Sequence, residues 1–217
     1  LSPHPLLSSP SFLFFFLSAH AQIVALARRF CFRIILDEAL SLGTLGATGR
    51  GALEYHGLPT DAVELRLCSF ENALGCVGGA CCSDWDLVEY QRLSGAGYCF
   101  SAAAPPFLSA CASFNISYLS SNPALVERLA ERTAQLTQAV GVLPARNGVE
   151  LSSAPESPVV YVRHKAGTAA TQALYAHLSS SGVASRLTSL GVRLVVREML
   201  SLTQINSVAK AISAYRQ

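Results

Sequence analysis

The sequence predicts an α/β protein, and three observations predict it. Short apolar, strand-like runs alternate with helix-spaced segments along the chain. Clustered glycines separate those runs in the first half. Of the 217 residues 51% are hydrophobic and 14% charged, a composition that favours a packed core over disorder.

Taken in order, residues 21–30 carry helical spacing, with Ile23, Val24, Leu26 and Ala27 apolar and Arg28 and Arg29 near the end. Residues 32–36 form a β-rich run that closes on Asp37 and Glu38, as strands buried on both faces of a parallel sheet do. Gly43, Gly46, Gly49 and Gly51 predict a loop, and residues 63–68 a second strand. Gly75, Gly78 and Gly79 predict a turn, and residues 94–98 a Gly-Ser loop. Residues 107–119 are apolar enough to start a long helix. Pro123 suits the first turn of the next helix, where Leu125, Leu129, Leu136 and Val140 recur at helical spacing. Strands follow at residues 149–151, 159–163 and 192–196, and helices at 171–179 and 203–215. The change of pattern near Asn122 divides the chain into residues 23–121 and a smaller α/β domain, 122–217.

Residues 1–22 stand apart. Residues 1–18 contain only Leu, Ser, Pro, His and Phe, whose codons are pyrimidine-rich, and Gln22 can be read from CAG. This segment is expected to be non-native or disordered, a translated intron end. Its apolar run at residues 12–17 is far shorter than the roughly 20 residues a membrane span needs, and no basic residue precedes it as in a secretory leader.

A net charge of +2, with Arg28-Arg29 the longest basic run, argues against a nucleic-acid surface. Seven cysteines, an odd number with no C-x-x-C pair, argue against a disulfide scaffold and against zinc. They read as reduced, small hydrophobes. His164 and His177 have no partners at metal spacing, and no metal site is expected. Only two lysines occur, Lys165 and Lys210.

The richest stretch is Asp37-Glu38-Ala39-Leu40-Ser41-Leu42-Gly43, continued by Gly46, Gly49, Arg50 and Gly51. A carboxylate at the carboxyl end of a buried strand faces the crevice where α/β proteins bind ligands. Asp37 therefore has two readings: a partner for a protonated pyridine nitrogen, or a cap on the following turn. The glycines match neither G-x-G-x-x-G nor a P-loop.

Taken together, Asp-Glu-Ala-x-Ser-x-Gly-x-x-Gly-x-x-Gly-Arg-Gly resembles the α-oxoamine synthase family, pyridoxal-phosphate enzymes of fold type I that join an amino acid to an acyl-CoA. The resemblance implies the C-terminal part of such a large domain, followed by the small domain. It places Leu40 where catalytic members carry a histidine against the cofactor. Their lysine motif corresponds to Cys68-Ser69-Phe70-Glu71-Asn72-Ala73-Leu74-Gly75 and the pair Gly78-Gly79, which puts Asn72 at the Schiff-base lysine. Both departures, with Cys81-Cys82 and the run from Gln91 to Ala102, are similar to the non-catalytic long-chain-base subunits of serine palmitoyltransferase within that family.

That resemblance implies no catalytic residue in this chain. It implies pyridoxal 5'-phosphate held mainly by a catalytic partner subunit, in a heterodimer at the endoplasmic reticulum membrane. The membrane anchor would belong to an N-terminal region preceding the matched part. Ser101 would reach the partner's cofactor phosphate, or simply cap its own loop. Arg193 would bind a substrate carboxylate, or stand as an exposed strand arginine. A catalytically active α-oxoamine synthase is the competing reading, opposed by Asn72.

Overall fold

The computed structural model describes residues 20–141 and 148–215. Of the segment 1–22, residues 1–19 lie outside the described residues, and residues 20–22 form the first turn of a helix. The chain divides into two compact units, Leu1–Val126 and Glu127–Gln217.

The first unit begins with α1 (His20–Phe30), whose Val24 and Ala27 are buried. It ends at Cys31 in the left-handed region (φ 53), with the Phe32 N–H donating back to the Ala27 carbonyl at 3.2 Å. This C-terminal turn delays β1 (Ile35–Asp37), which starts three residues later than the hydrophobic run predicts. Ile34 is tied instead to Glu64, whose carboxylate accepts the Ile34 N–H at 2.6 Å. β2 (Leu65–Ser69) pairs parallel with β1, Leu36 opposite Arg66 and Asp37 opposite Leu67. Between them run the glycine loop, α2 (Ala52–Tyr55) and a 3-10 turn at Thr60–Ala62. Val24, Ala27, Ile34, Leu36, Leu53 and Val63 form the core of α1, β1 and α2.

β3 (Gly79–Cys82) pairs antiparallel with β2, giving the order β1-β2-β3. Its Gly-Ala-Cys-Cys sequence has little strand preference, so pairing with β2 rather than local propensity makes it a strand. α3 (Trp85–Ser94) is not legible in the hydrophobic pattern, because none of its residues is buried. Asp84 starts it by accepting the Leu87 N–H at 2.9 Å. Residues 94–98, expected to be a loop, contain the end of α3 and one further turn, α4 (Ala96–Cys99). α5 (Pro106–Ser121) follows, with proline in its first turn.

α6 (Ala124–Gly141) leads into the second unit. Its buried stripe is Val126, Thr133, Leu136, Thr137 and Val140. The two threonines enter an apolar face because each hydroxyl donates to the carbonyl four residues earlier, Leu129 at 2.8 Å and Thr133 at 2.9 Å. Four antiparallel strands follow: β4 (Val149–Leu151), β5 (Val159–His164), β6 (Arg186–Thr188) and β7 (Gly191–Val195), in the order β4-β5-β7-β6. α7 (Thr168–Ser180) lies between β5 and β6, and α8 (Leu202–Ala214) closes the chain with a Ser201/Gln204 capping box. Val160, Val162, Leu174, Leu178, Val192 and Ile212 show no exposed surface and make this unit's core. His164 is buried beside that core and His177 is half-buried. Both rings pack on Tyr215, and a ring nitrogen of His177 lies 2.9 Å from the Ala211 carbonyl.

Among the described residues, no helix is long and apolar enough to cross a membrane. Leu174→Ala should lower the stability of the second unit by about 2–5 kcal/mol, because the site cannot collapse around the lost methyl groups. Urea denaturation checks this: the midpoint falls while the slope stays unchanged.

Candidate functional site

Glu38 organises the first unit at the end of β1. It is 1% exposed. One carboxylate oxygen accepts the Ser41 hydroxyl, and the Ala52 N–H at 2.9 Å. The other, Oε1, is buried with no hydrogen-bond partner among the described residues. The carboxylate thus joins the strand end to the start of α2 across the whole glycine loop. Gly51 sits at φ 97, and a Cβ there would strike the Glu38 carboxylate.

A second carboxylate holds the tip of the same loop. Glu54 accepts the Arg50 N–H at 2.9 Å and the Thr48 hydroxyl at 2.7 Å. Partial burial alone would raise its pKa. The Thr48 hydroxyl, the Arg50 and Thr48 amides and the Arg50 charge outweigh that and hold it below the usual 4.5. Neither glutamate role was read from the sequence. The available signal was the spacing of two acids around a run of four glycines.

The structure ties Asn72 to the turn that follows Asp37. The Asn72 amide donates to the Ala39 carbonyl at 2.8 Å, while Asp37 Oδ1 accepts the Ala39 N–H at 2.8 Å. The hairpin loop carrying Asn72 presses on the glycine loop, since a Cβ at Gly43 would meet the Ala73 side chain. It is pinned from α5 as well: Asn115 donates to the Leu74 carbonyl at 2.7 Å, and the Cys76 thiol to that of Leu108 at 3.3 Å. Leu40 is half-buried in the same turn, its carbonyl accepting the Thr44 hydroxyl at 2.6 Å. Asp37, Leu40 and Asn72 are therefore brought together.

Ser101 is not part of that group, and Arg193 belongs to the second unit. Ser101 is exposed, and its hydroxyl donates to the Gly97 carbonyl one turn back. Arg193 lies on β7 in the second unit, opposite Tyr161 and Arg186. It is half-buried, with Nε enclosed and without a hydrogen-bond partner among the described residues. Lys165 and Lys210 are both exposed and both lie in the second unit.

A cavity of about 580 Å³ opens in the first unit. Leu42, Leu53, Leu58 and Phe70 give it apolar walls, and Arg66, Cys68 and Cys82 reach it from the sheet. Burial pushes the Cys68 thiol up to about 11, helped by Cys82 and Glu38 and opposed by Arg66. Among the described residues no cluster of three or more His, Cys, Asp or Glu side chains could hold a metal.

Residues 16–212 match the aminotransferase class I and II family. Serine palmitoyltransferase 1 of Dictyostelium discoideum is 39% identical over 142 residues, 65% of this chain and 30% of that protein. Long chain base biosynthesis protein 1 of Arabidopsis thaliana is 36% identical over 142 residues, 65% of this chain and 29% of that protein. The chain therefore spans about 30% of the length of these relatives. A serine palmitoyltransferase of S. paucimobilis, solved with a PLP–myriocin aldimine, superposes with a TM-score of 0.79 at 26% identity, over 89% of this chain and 48% of that one. The 8-amino-7-oxononanoate synthase of Francisella tularensis shares the fold, with a TM-score of 0.74 at 22% identity over 88% of this chain and 57% of that one.

Gly51→Ala should be destabilised by about 1–3 kcal/mol through backbone strain together with the clash on Glu38. Gly57→Ala is the control, with φ 62 but nothing within 4 Å of the new methyl. Equal losses of thermal stability would refute the Glu38 contact. The Thr48 and Arg50 amides report on Glu54. Its folded pKa lies below the unfolded one, so its contribution is complete above pH 4.5 and fades as pH falls through the lowered value. Amide protection followed by NMR should decline in that acidic window and hold steady above it.

Proposed function

Because this chain belongs to the aminotransferase class I and II family, we propose that it is the non-catalytic subunit of a serine palmitoyltransferase. That complex condenses L-serine with palmitoyl-CoA to 3-oxosphinganine, releasing carbon dioxide and CoA, in sphingolipid synthesis. The likeness to serine palmitoyltransferase 1 and long chain base biosynthesis protein 1 supports the pathway.

The observation that carries the non-catalytic role is Asn72. A Schiff base needs a primary amine, and an amide supplies none. The Asn72 amide is moreover engaged with Ala39 at 2.8 Å, beside the Asp37 turn. Leu40 offers a hydrocarbon where an imidazole would contact a cofactor ring. A covalently tethered pyridoxal phosphate does not fit these residues, and the cofactor belongs mainly to a lysine-bearing partner. In this reading Asp37 persists as the cap of its own turn, consistent with its bond to the Ala39 amide. Ser101 would turn from Gly97 to the partner's cofactor phosphate, and Arg193 would offer its enclosed Nε to a carboxylate. Anchorage to the endoplasmic reticulum membrane belongs to the same reading.

The second reading, an active α-oxoamine synthase, is favoured by the survival of Asp37 at the strand end. One experiment separates the two. The chain is purified with and without a lysine-bearing partner, serine-dependent carbon dioxide release is assayed, and bound cofactor is reduced with borohydride. Activity should require the partner, and the reduced label should sit on the partner alone. Release by this chain without the partner, or label on Lys165 or Lys210, would overturn the proposal.

A further inference from the structure

The β2–β3 hairpin places two thiols on one face of the sheet. Arg66 stands opposite Cys82 and Cys68 opposite Ala80, so Cys68 and Cys82 are diagonal neighbours two residues apart in register. Both line the cavity. Cys82 is exposed and Cys68 half-buried, and neither is in a disulfide. Cys81 points to the opposite face, its register partner being Leu67. Cys76 and Cys99 direct their thiols to backbone carbonyls.

We infer that Cys82 and Cys68 form a hydroperoxide-sensitive pair, in which Cys82 is oxidised first and Cys68 resolves it to a disulfide across the hairpin. The inference is independent of the function proposed above. In the first step the Cys82 sulfur attacks one oxygen of hydrogen peroxide. The O–O bond breaks, water leaves, and a sulfenic acid remains. In the second step the Cys68 sulfur attacks the Cys82 sulfur. The S–O bond breaks, and the departing hydroxide takes up the proton that the Cys68 thiol released on ionising before the attack, giving water. Two thiols lose two electrons to one peroxide, and two waters are released.

The order of the steps follows from position. Exposure gives peroxide access to Cys82, whereas Cys68 is shielded and keeps its proton. The groups facing Cys68 are Cys82 on β3, Glu38 beyond β1 and Arg66 on β2, and Arg50 and Glu54 also line the cavity. Because only the Cys68 thiolate attacks, closure should quicken about tenfold per pH unit between about pH 7 and 9. The bond would join the two strands that carry the Asn72 loop and so fix the hairpin beneath it.

The test is a peroxide titration of the purified chain under native conditions, with non-reducing peptide mapping. The Cys68–Cys82 linked peptide should dominate, with the mass loss of two hydrogens. Cys68→Ser should stop at a Cys82 sulfenic acid captured by dimedone, and Cys82→Ser should lose the reaction. A guanidinium-unfolded control should scramble among the seven cysteines. Pairing of Cys82 with Cys81 or any other thiol, a Cys82 that stays reduced, or the same pattern in the unfolded control would overturn the assignment.

Discussion

A carboxylate removed from water must be given hydrogen-bond donors, and the first unit is arranged around meeting that requirement at Glu38. The donors come from two places far apart in its loop: the Ser41 hydroxyl just after the strand and the Ala52 amide at the start of α2. Satisfying one oxygen therefore closes the glycine loop on itself. It also dictates that residue 51 carries no side chain, since a methyl there would occupy the carboxylate's place. The Asp-Glu-Ala-x-Ser and Gly-Arg-Gly ends of one motif are the two sides of a single contact.

From that contact the rest of the site takes its position. The closed loop presents Gly43 to Ala73, and the absence of a Cβ lets the hairpin loop approach. Asn72 then meets the Ala39 carbonyl. Asn115 and Cys76 hold the hairpin from the side of α5. An asparagine so placed serves the architecture well, since its amide is a ready donor to a carbonyl. The polar contact that suits the turn is also the one that leaves no amine for covalent chemistry.

The sequence was most legible where one side chain type answers to one environment. The runs at residues 159–163 and 192–196 are strands of the second unit, Val159–His164 and Gly191–Val195, with Val160, Val162, Val192 and Leu194 buried. The stripe on α6 was legible at Leu136 and Val140 but not at Thr133 and Thr137, whose burial depends on back-bonding that a hydropathy pattern does not register. β3 and α3 escaped notice for opposite reasons. Gly-Ala-Cys-Cys becomes a strand only because β2 offers its edge, and α3 has no buried face to leave a periodic trace. In the site, Asp37, Leu40 and Asn72 were legible as a group, but Glu38 and Glu54 were not, because their partners are mostly backbone amides.

By itself the sequence determined the alternation of strands and helices, the glycine positions and the absence of an amine at residue 72. These are properties of single residues and near neighbours, carried by side-chain chemistry and backbone preference alone. Tertiary structure decided which carboxylate is buried, where the β2–β3 hairpin lies against the glycine loop, and that Cys68 and Cys82 share a face. Those outcomes depend on strand register and on contacts across 14 to 33 residues of chain. No local pattern encodes them, because hydrogen-bond donors and sheet edges become available only when distant segments meet.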